Sequence, residues 1–519
     1  MNNKNHMPLE EADAKASRRR RSARVGVALI AAVTLVAACS APVNNKNGSE
    51  PAVPYAVDAP TLLNQDDATG AAAFEYFFAD NDDIDSVVVS SEDLADQKAA
   101  ARKAVDDSLP MVIAPDNAEE ELVSALKDNG VEKLTTFGTD FQPEGFDVKA
   151  SEDAATAEQS AGAGDESTLA DLREIAGAEA DEISGAPVVL AAEGTTIAQV
   201  ANARAAGAKV LVLEAPDPRA TKESMDAVQE GNVIALGTGF SDQEDFDTQV
   251  AMASNGEIAG GGGLVFPGRR MIALYGHPSG PALGVMGEQP PAEAVERVKK
   301  LVGEYQEVSD TKVIPAFEII VTIASGGPGP SGEYTSLTDP EDVIPYVDAI
   351  TEAGGYAFLD LQPGRARLVD QAKQYEELLK RPNVGLALDP EWKLKEGQKH
   401  MEQIGSVEAS EVNEVADWLA GLVRENNLPQ KGLIIHQFQT QMIRDREAIN
   451  TDRPELSFIL HADGHGTPDL KMQTWDALRQ GLNDDWFMAW KNFIDEDTPT
   501  FTPEETYAID PKPWFVSYQ

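Results

Sequence analysis

One cysteine, Cys39, stands in 519 residues, so no disulfide can form within the chain. Histidine is scarce too, with six. Basic side chains are the minority, 42 Lys and Arg against 88 Asp and Glu, which gives a formal charge of −46. That balance excludes binding to nucleic acid or anionic lipid by bulk electrostatics. The acid reads as a solvated, solubilising surface, because no cation loop of the DxDxDG type is present. No glycine-rich run ends in Gly-Lys-Ser/Thr, so a P-loop is absent. The apolar run at residues 25–36 is too short to span a bilayer comfortably.

What is present is a globular composition, 42% apolar and 25% charged, long enough for two or three domains. At the N-terminus, Arg18 to Arg21 and Arg24 precede that apolar run, and Val36-Ala37-Ala38-Cys39 follows it. This resembles a bacterial lipoprotein signal peptide. The resemblance implies cleavage after residue 38, acylation of Cys39 with palmitate, and a lipid anchor on the extracytoplasmic face of the cell membrane. Losing residues 1–38 removes seven basic and three acidic side chains, moving the charge from −46 to −50. Residues 39–70, rich in Asn, Pro, Gly and Asp, read as a tether.

A parallel α/β pattern then runs twice. In the first copy (71–148), strands are expected at 86–90, 110–114 and 133–137, with helices at 93–105 and 118–128. Pro115-Asp116-Asn117 is a turn and cap. In the second copy (183–240), strands are expected at 187–190, 209–213 and 233–236, with helices at 197–206 and 222–230. The offsets hold: Val87 to Val188 and Pro115-Asp116 to Pro216-Asp217 both span 101 residues, which predicts a duplication. Residues 149–182 connect the copies. Gly130-Val-Glu-Lys-Leu134, the Val-rich strands and the closing Phe137-Gly138-Thr139 make this region similar to the cell-wall-binding repeat type 2 family. The resemblance implies affinity for an envelope polymer. The family carries three copies and an Arg-x-x-Gly-x-x-Arg signature; here there are two copies, and Arg173-Glu-Ile-Ala-Gly177 is a remnant at best.

Residues 241–268, acidic and then glycine-rich, read as a linker. From 269 to 519 strand and helix alternate regularly. Strands are expected at 271–275, 313–320, 356–361, 384–388, 432–436, 456–461, 486–490 and 514–518. Helices are expected at 293–305, 340–353, 366–379, 408–425, 439–446 and 469–480. Eight such strands in about 250 residues predict a (β/α)8 barrel of the TIM type, with its site at the C-terminal rim. The chain is therefore read as a duplicated α/β repeat domain followed by this barrel.

The strand at 384–388 ends in Asp389-Pro-Glu391-Trp392, two carboxylates and an indole. Asp360 and Glu318 end neighbouring strands. Paired carboxylates, one kept protonated by an apolar neighbour, are what glycosidic hydrolysis uses. Glu391 is the expected acid, with Asp389 or Asp360 as nucleophile or base. Architecture alone makes the barrel similar to glycoside-hydrolase barrels. Substrate contacts are expected from Glu318, His277, His436, Gln437, His461, Asp463, Tyr275, Trp392 and Trp490. Phe438 is a further rim aromatic, and 324–337 is a candidate lid. A metal-dependent hydrolase built on His461-x-Asp463-x-His465 is a third reading. A metallohydrolase barrel would place His-x-His on its first strand, where Tyr275-Gly-His277 lacks it, so no metal ligand and no cofactor is assigned. The expected partner is a cell-wall glycan or another envelope polymer, not nucleic acid. The alternative is a non-catalytic wall-binding or assembly lipoprotein.

Overall fold

In the computed structural model, residues 55–78, 84–115, 119–153 and 167–519 are described. The expected signal peptide, Cys39, the first part of the expected tether, the Asp116-Asn117 turn and part of the 149–182 connection lie outside them. No described helix is long and apolar enough to cross a membrane.

The N-terminal lobe holds two four-stranded parallel sheets. One is built from β2 (Ser86–Ser90), β3 (Met111–Ile113), β4 (Lys133–Phe137) and β5 (Asp147–Ala150), in the order β3-β2-β4-β5. The other uses β6 (Val188–Ala191), β7 (Lys209–Val212), β8 (Val233–Leu236) and β1 (Thr61–Leu63), in the order β7-β6-β8-β1. Three strands of each sheet share one order and sense, while the fourth comes from the end of the chain segment in the first sheet (β5) and from its start in the second (β1). The helix Ile197–Ala205 is buried at all nine positions. It is apolar around most of its circumference, as a helix enclosed by other elements must be. Its Asn202 side chain accepts from the Met111 N–H at 2.8 Å and donates to the Met111 carbonyl at 2.8 Å. That ties the second sheet's helix to β3 of the first, and one apolar cluster spans both.

Two segments depart from expectation. The tether does not run to residue 70, because Thr61–Leu63 pairs in parallel with Val233–Leu236 and Ala71–Phe78 is a helix. Its three-residue strand is too short to show a period in sequence. Residues 241–268 are not a free linker. Asp242 caps the helix Gln243–Met252. The chain then sends Ile258, Val265 and Phe266 into the end of the barrel where its strands begin. The backbone N–H of Val265 donates to Gln430 and that of Ala259 to Asn383, while Arg219 donates to the Pro454 carbonyl. Lobe and barrel are thereby joined along this segment.

The barrel closes through eight parallel strands: β9 (Arg270–Gly276), β10 (Val313–Ala324), β12 (Tyr356–Leu361), β13 (Val384–Leu388), β15 (Lys431–Gln437), β17 (Leu456–Ala462), β18 (Trp486–Asn492) and β19 (Phe515–Tyr518), which returns to β9. β12 and β13 have the expected limits. β10 runs four residues further than expected, because β11 (Thr335–Leu337) pairs antiparallel with its end. Gly385 and Gly432 flank the Phe358 ring, where a Cβ would come within 2.8 and 2.5 Å of it. No α-helix follows β15. Instead, a 3₁₀ turn at Thr440–Met442 leads into β16 (Ile443–Arg444), which pairs with β14 (Val407–Glu408). The Gln437 amide donates to the carbonyls of Gln439 and Thr440, which a helix would need for itself. The helix expected at 366–379 breaks at Lys373–Tyr375, where the Tyr375 hydroxyl donates to the carbonyls of Val321 and Thr338.

Candidate active site at the C-terminal mouth of the barrel

Every second residue of a barrel strand faces the axis. One level inside holds Ala273, Ala316, Phe358, Ala387, Ile434, Ile459, Ala489 and Phe515, one from each strand, in a single apolar cluster. Two residues further along each strand stand Tyr275, Glu318, Asp360, Asp389, His436, His461, Lys491 and Ser517. All eight are buried. Two residues further again, Gln362, Glu391, Phe438, Asp463, Phe493 and Gln519 line an open cavity of about 520 Å³. Trp392, His465, Tyr275, Asp389 and Lys491 share that lining. The barrel interior thus changes from hydrocarbon to ionisable groups within one step of two residues.

The polar level is bonded across the axis. His436 Nε2 lies 2.7 Å from Glu318 Oε1, and its Nδ1 lies 2.8 Å from Asp463 Oδ2. Asp360 Oδ1 is 3.9 Å from the same Nε2. The Tyr275 hydroxyl donates to Asp360 Oδ2 at 2.9 Å. Ser517 Oγ lies 3.2 Å from His461 Nε2, and His461 Nδ1 stands 3.6 Å from Glu318 Oε1. Lys491 Nζ sits 3.7 Å above the centre of the Tyr275 ring.

These contacts set the charges. Burial works against ionising Glu318, but the His436 and His461 imidazoles outweigh it and hold the carboxyl well below its usual range. For His436 burial again opposes charge, and Glu318 and Asp463 override it, so the imidazole stays protonated well above its usual range. Burial dominates at His461 and lowers it. Asp463 is lowered, its burial outweighed by the His436 hydrogen bond. The other acids move up. Burial, then the repulsion of Asp463, raises Glu391 to about 7. Burial raises Asp360 to about 6, and burial with Glu391 raises Asp389 well above its usual value.

Of the residues expected from sequence, Tyr275, Asp389, Glu391, Trp392, Asp463, Phe438 and His465 line the cavity. Glu318, Asp360, His436 and His461 are buried in the level beneath, linked to it through Tyr275 and Asp463. Three expected residues belong neither to the cavity wall nor to the level beneath it. Trp490 points away from the axis, 5.6 Å from Trp475 and stacked 5.3 Å from Phe501. Gln437 also points outward and fastens the following turn. Both are one position out of phase with an inward neighbour, and period two puts them on the helix side. His277 is occupied by Ser279 and Thr338, each at 2.8 Å. Asp389 and Glu391 do not share an extended face, because Pro390–Trp392 is a 3₁₀ turn in which Asp389 Oδ1 accepts from the Glu391 N–H at 3.3 Å. In the candidate lid, Ala324 touches the cavity, while the glycine-rich stretch does not line it. The Tyr334 carbonyl lies 2.9 Å from His400 Nε2, and the His400 ring packs edge-on against Trp392.

Lys491, Ser517 and Phe493 were not singled out in the sequence. Their signal is the same count of two, from Ala489 and Phe515.

No protein-family model matches the chain, and no curated protein matches it in sequence.

Proposed function

We propose that the barrel hydrolyses a glycan of the cell envelope, with Glu391 as general acid. The observation that carries this is the cavity itself. It is open, walled by Trp392, Phe438 and Phe493, and holds a carboxyl raised to about 7 next to other carboxyls. An acid protonated at neutral pH delivers a proton to a glycosidic oxygen, and aromatic faces stack on sugar rings. Asp463 supplies the second carboxylate. His436 holds its Oδ2, and its Oδ1 has no hydrogen-bond partner among the described residues. This replaces Asp389 and Asp360 in the role of base or nucleophile: burial raises Asp389 well above its usual value, and Asp360 lies beneath the cavity with its Oδ2 taken by the Tyr275 hydroxyl. The barrel supports the reading at the level of architecture, and the function is argued from the site.

We further infer that the two N-terminal sheets arose by duplication and hold the barrel within the wall, with Cys39 acylated at the membrane surface. The shared order of three strands in each sheet and the 101-residue offsets support the duplication. Loss of palmitate labelling in Cys39→Ala tests the anchor.

The test of the main reading is release of soluble sugar from purified wall polysaccharide by the full chain. Release by the parent and none by Glu391→Gln is expected. Equal release by both removes Glu391 from its role. Polymer retention by the parent without any product identifies a binding protein instead.

A further inference from the structure

We propose that Glu318, His436 and His461 bind a divalent transition metal ion of the zinc class beneath the floor of the cavity, with Asp360 as fourth ligand. The three residues come from β10, β15 and β17. One donor atom from each lies within 4.8 Å of the others. All three side chains are completely buried.

The second observation is the set of polar atoms left without partners around that point. Glu318 Oε2, His461 Nδ1 and Asp360 Oδ1 are all buried with no hydrogen-bond partner among the described residues. Buried polar atoms in folded proteins are almost always paired, and these three belong to side chains that converge on one point. Two are carboxylate oxygens and one is an imidazole nitrogen. A cation accepts a lone pair from each of them.

The surroundings are those of a metal centre rather than of an ion pair alone. His436 gives its Nδ1 to Asp463 Oδ2 at 2.8 Å, which leaves Nε2 directed at Glu318 Oε1, 2.7 Å away. A carboxylate behind a ligating imidazole commonly fixes its tautomer and orientation in such sites. His461 is oriented in the same way by Ser517 at 3.2 Å on Nε2, which leaves its Nδ1 directed inward. Asp360 is steadied through Oδ2 by the Tyr275 hydroxyl, leaving Oδ1 free, 3.9 Å from His436 Nε2. Each candidate histidine, and Asp360, therefore has one atom held from behind and another turned to the common point. Two imidazoles with carboxylates favour zinc and its first-row neighbours over calcium or magnesium, which take oxygen ligands. Asp463 and Tyr275, which hold His436 and Asp360, also line the cavity, so the site lies directly beneath the mouth.

The test uses the purified full chain, stripped with a chelator and titrated with Zn²⁺ or Co²⁺ alone. No glycan is present, so the result is independent of hydrolysis. One metal per chain is expected, with visible Co²⁺ bands of low-coordinate intensity. X-ray absorption of the zinc form should show two imidazoles at about 2.0–2.1 Å plus oxygen. Asp463→Asn should weaken affinity by about 10–100-fold while keeping the stoichiometry. His461→Gln should lose the Co²⁺ bands, and His277→Asn should keep them. No bound metal at micromolar Zn²⁺, or a spectrum without imidazole, overturns the proposal even if a variant fails to fold. Unchanged bands in a folded His461→Gln overturn it as well.

Discussion

The two halves of the barrel interior are built on the same strands and differ in every other respect. In the lower half, Phe358 and Phe515 lie 5.2 Å apart in one apolar cluster with Ile434 and Ile459, and Phe266 closes the end against Phe487 and Trp514. In the upper half each strand contributes a hydroxyl, an acid, an imidazole or an amine. The lower half is tightly packed hydrocarbon, and its contribution to stability rises with the area buried. The upper half has the opposite sign. Its charges are desolvated, its partners are incomplete, and replacing such groups by hydrocarbon is often neutral or stabilising. One half stores the stability that the other half uses to hold strained charge states at the mouth.

Four measurements would break or sharpen this contrast. Phe358→Ala should show the largest effect, a loss of about 3–5 kcal/mol in unfolding free energy by denaturant titration. A loss under 1 kcal/mol would mean that the lower half is not the anchor. Glu391→Gln should lower glycan turnover by about 10²–10⁴-fold with its melting temperature kept or raised. A large loss of stability there would erase the distinction between the halves. The pH dependence follows from the same carboxyl. Its folded value of about 7 lies above the ordinary glutamate range, so the folded state holds a proton that the unfolded chain releases. Stability from this group is therefore greatest below pH of about 4 and declines as pH rises toward 7. The melting difference between Glu391→Gln and the parent should be wider at pH 7.5 than at pH 5. Turnover should fall above pH of about 7 as the acid empties. An activity plateau extending well above pH 8 would contradict that. Ile459→Val is expected to cost the least, about 0.5–1.5 kcal/mol, with turnover unchanged.

Sequence reading reached the barrel because its strands are continuous apolar runs broken by turns, a pattern set by burial on both faces. β12 and β13 could be delimited to the residue on that ground. The same reading misplaced Trp490 and Gln437, because a buried strand has apolar residues on both faces and its phase is hidden. Phase becomes visible only when several strands are aligned on one level, as with Ala489 and Lys491 beside Phe515 and Ser517. The pairing of His436 with Glu318, 118 residues earlier in the chain, was beyond any local pattern. The segment 241–268 misled for a different reason. Its glycines mark a boundary in most chains, whereas here they let the backbone turn tightly before Val265 and Phe266 enter the barrel. Gly262 has φ of +73°, and a Cβ on it would meet the Ala220 carbonyl at 2.6 Å.

That inserted segment has a consequence for how the protein can be divided. The stopper of the barrel belongs, in chain order, to the lobe before it. A fragment cut at residue 269 would start with its base uncovered, presenting the rings of Phe487 and Trp514 to water in place of Phe266. The barrel is therefore not a portable module. Any transfer of this barrel mouth to another scaffold must carry residues 258–268 with it, and the seam for such a graft lies before Ile258.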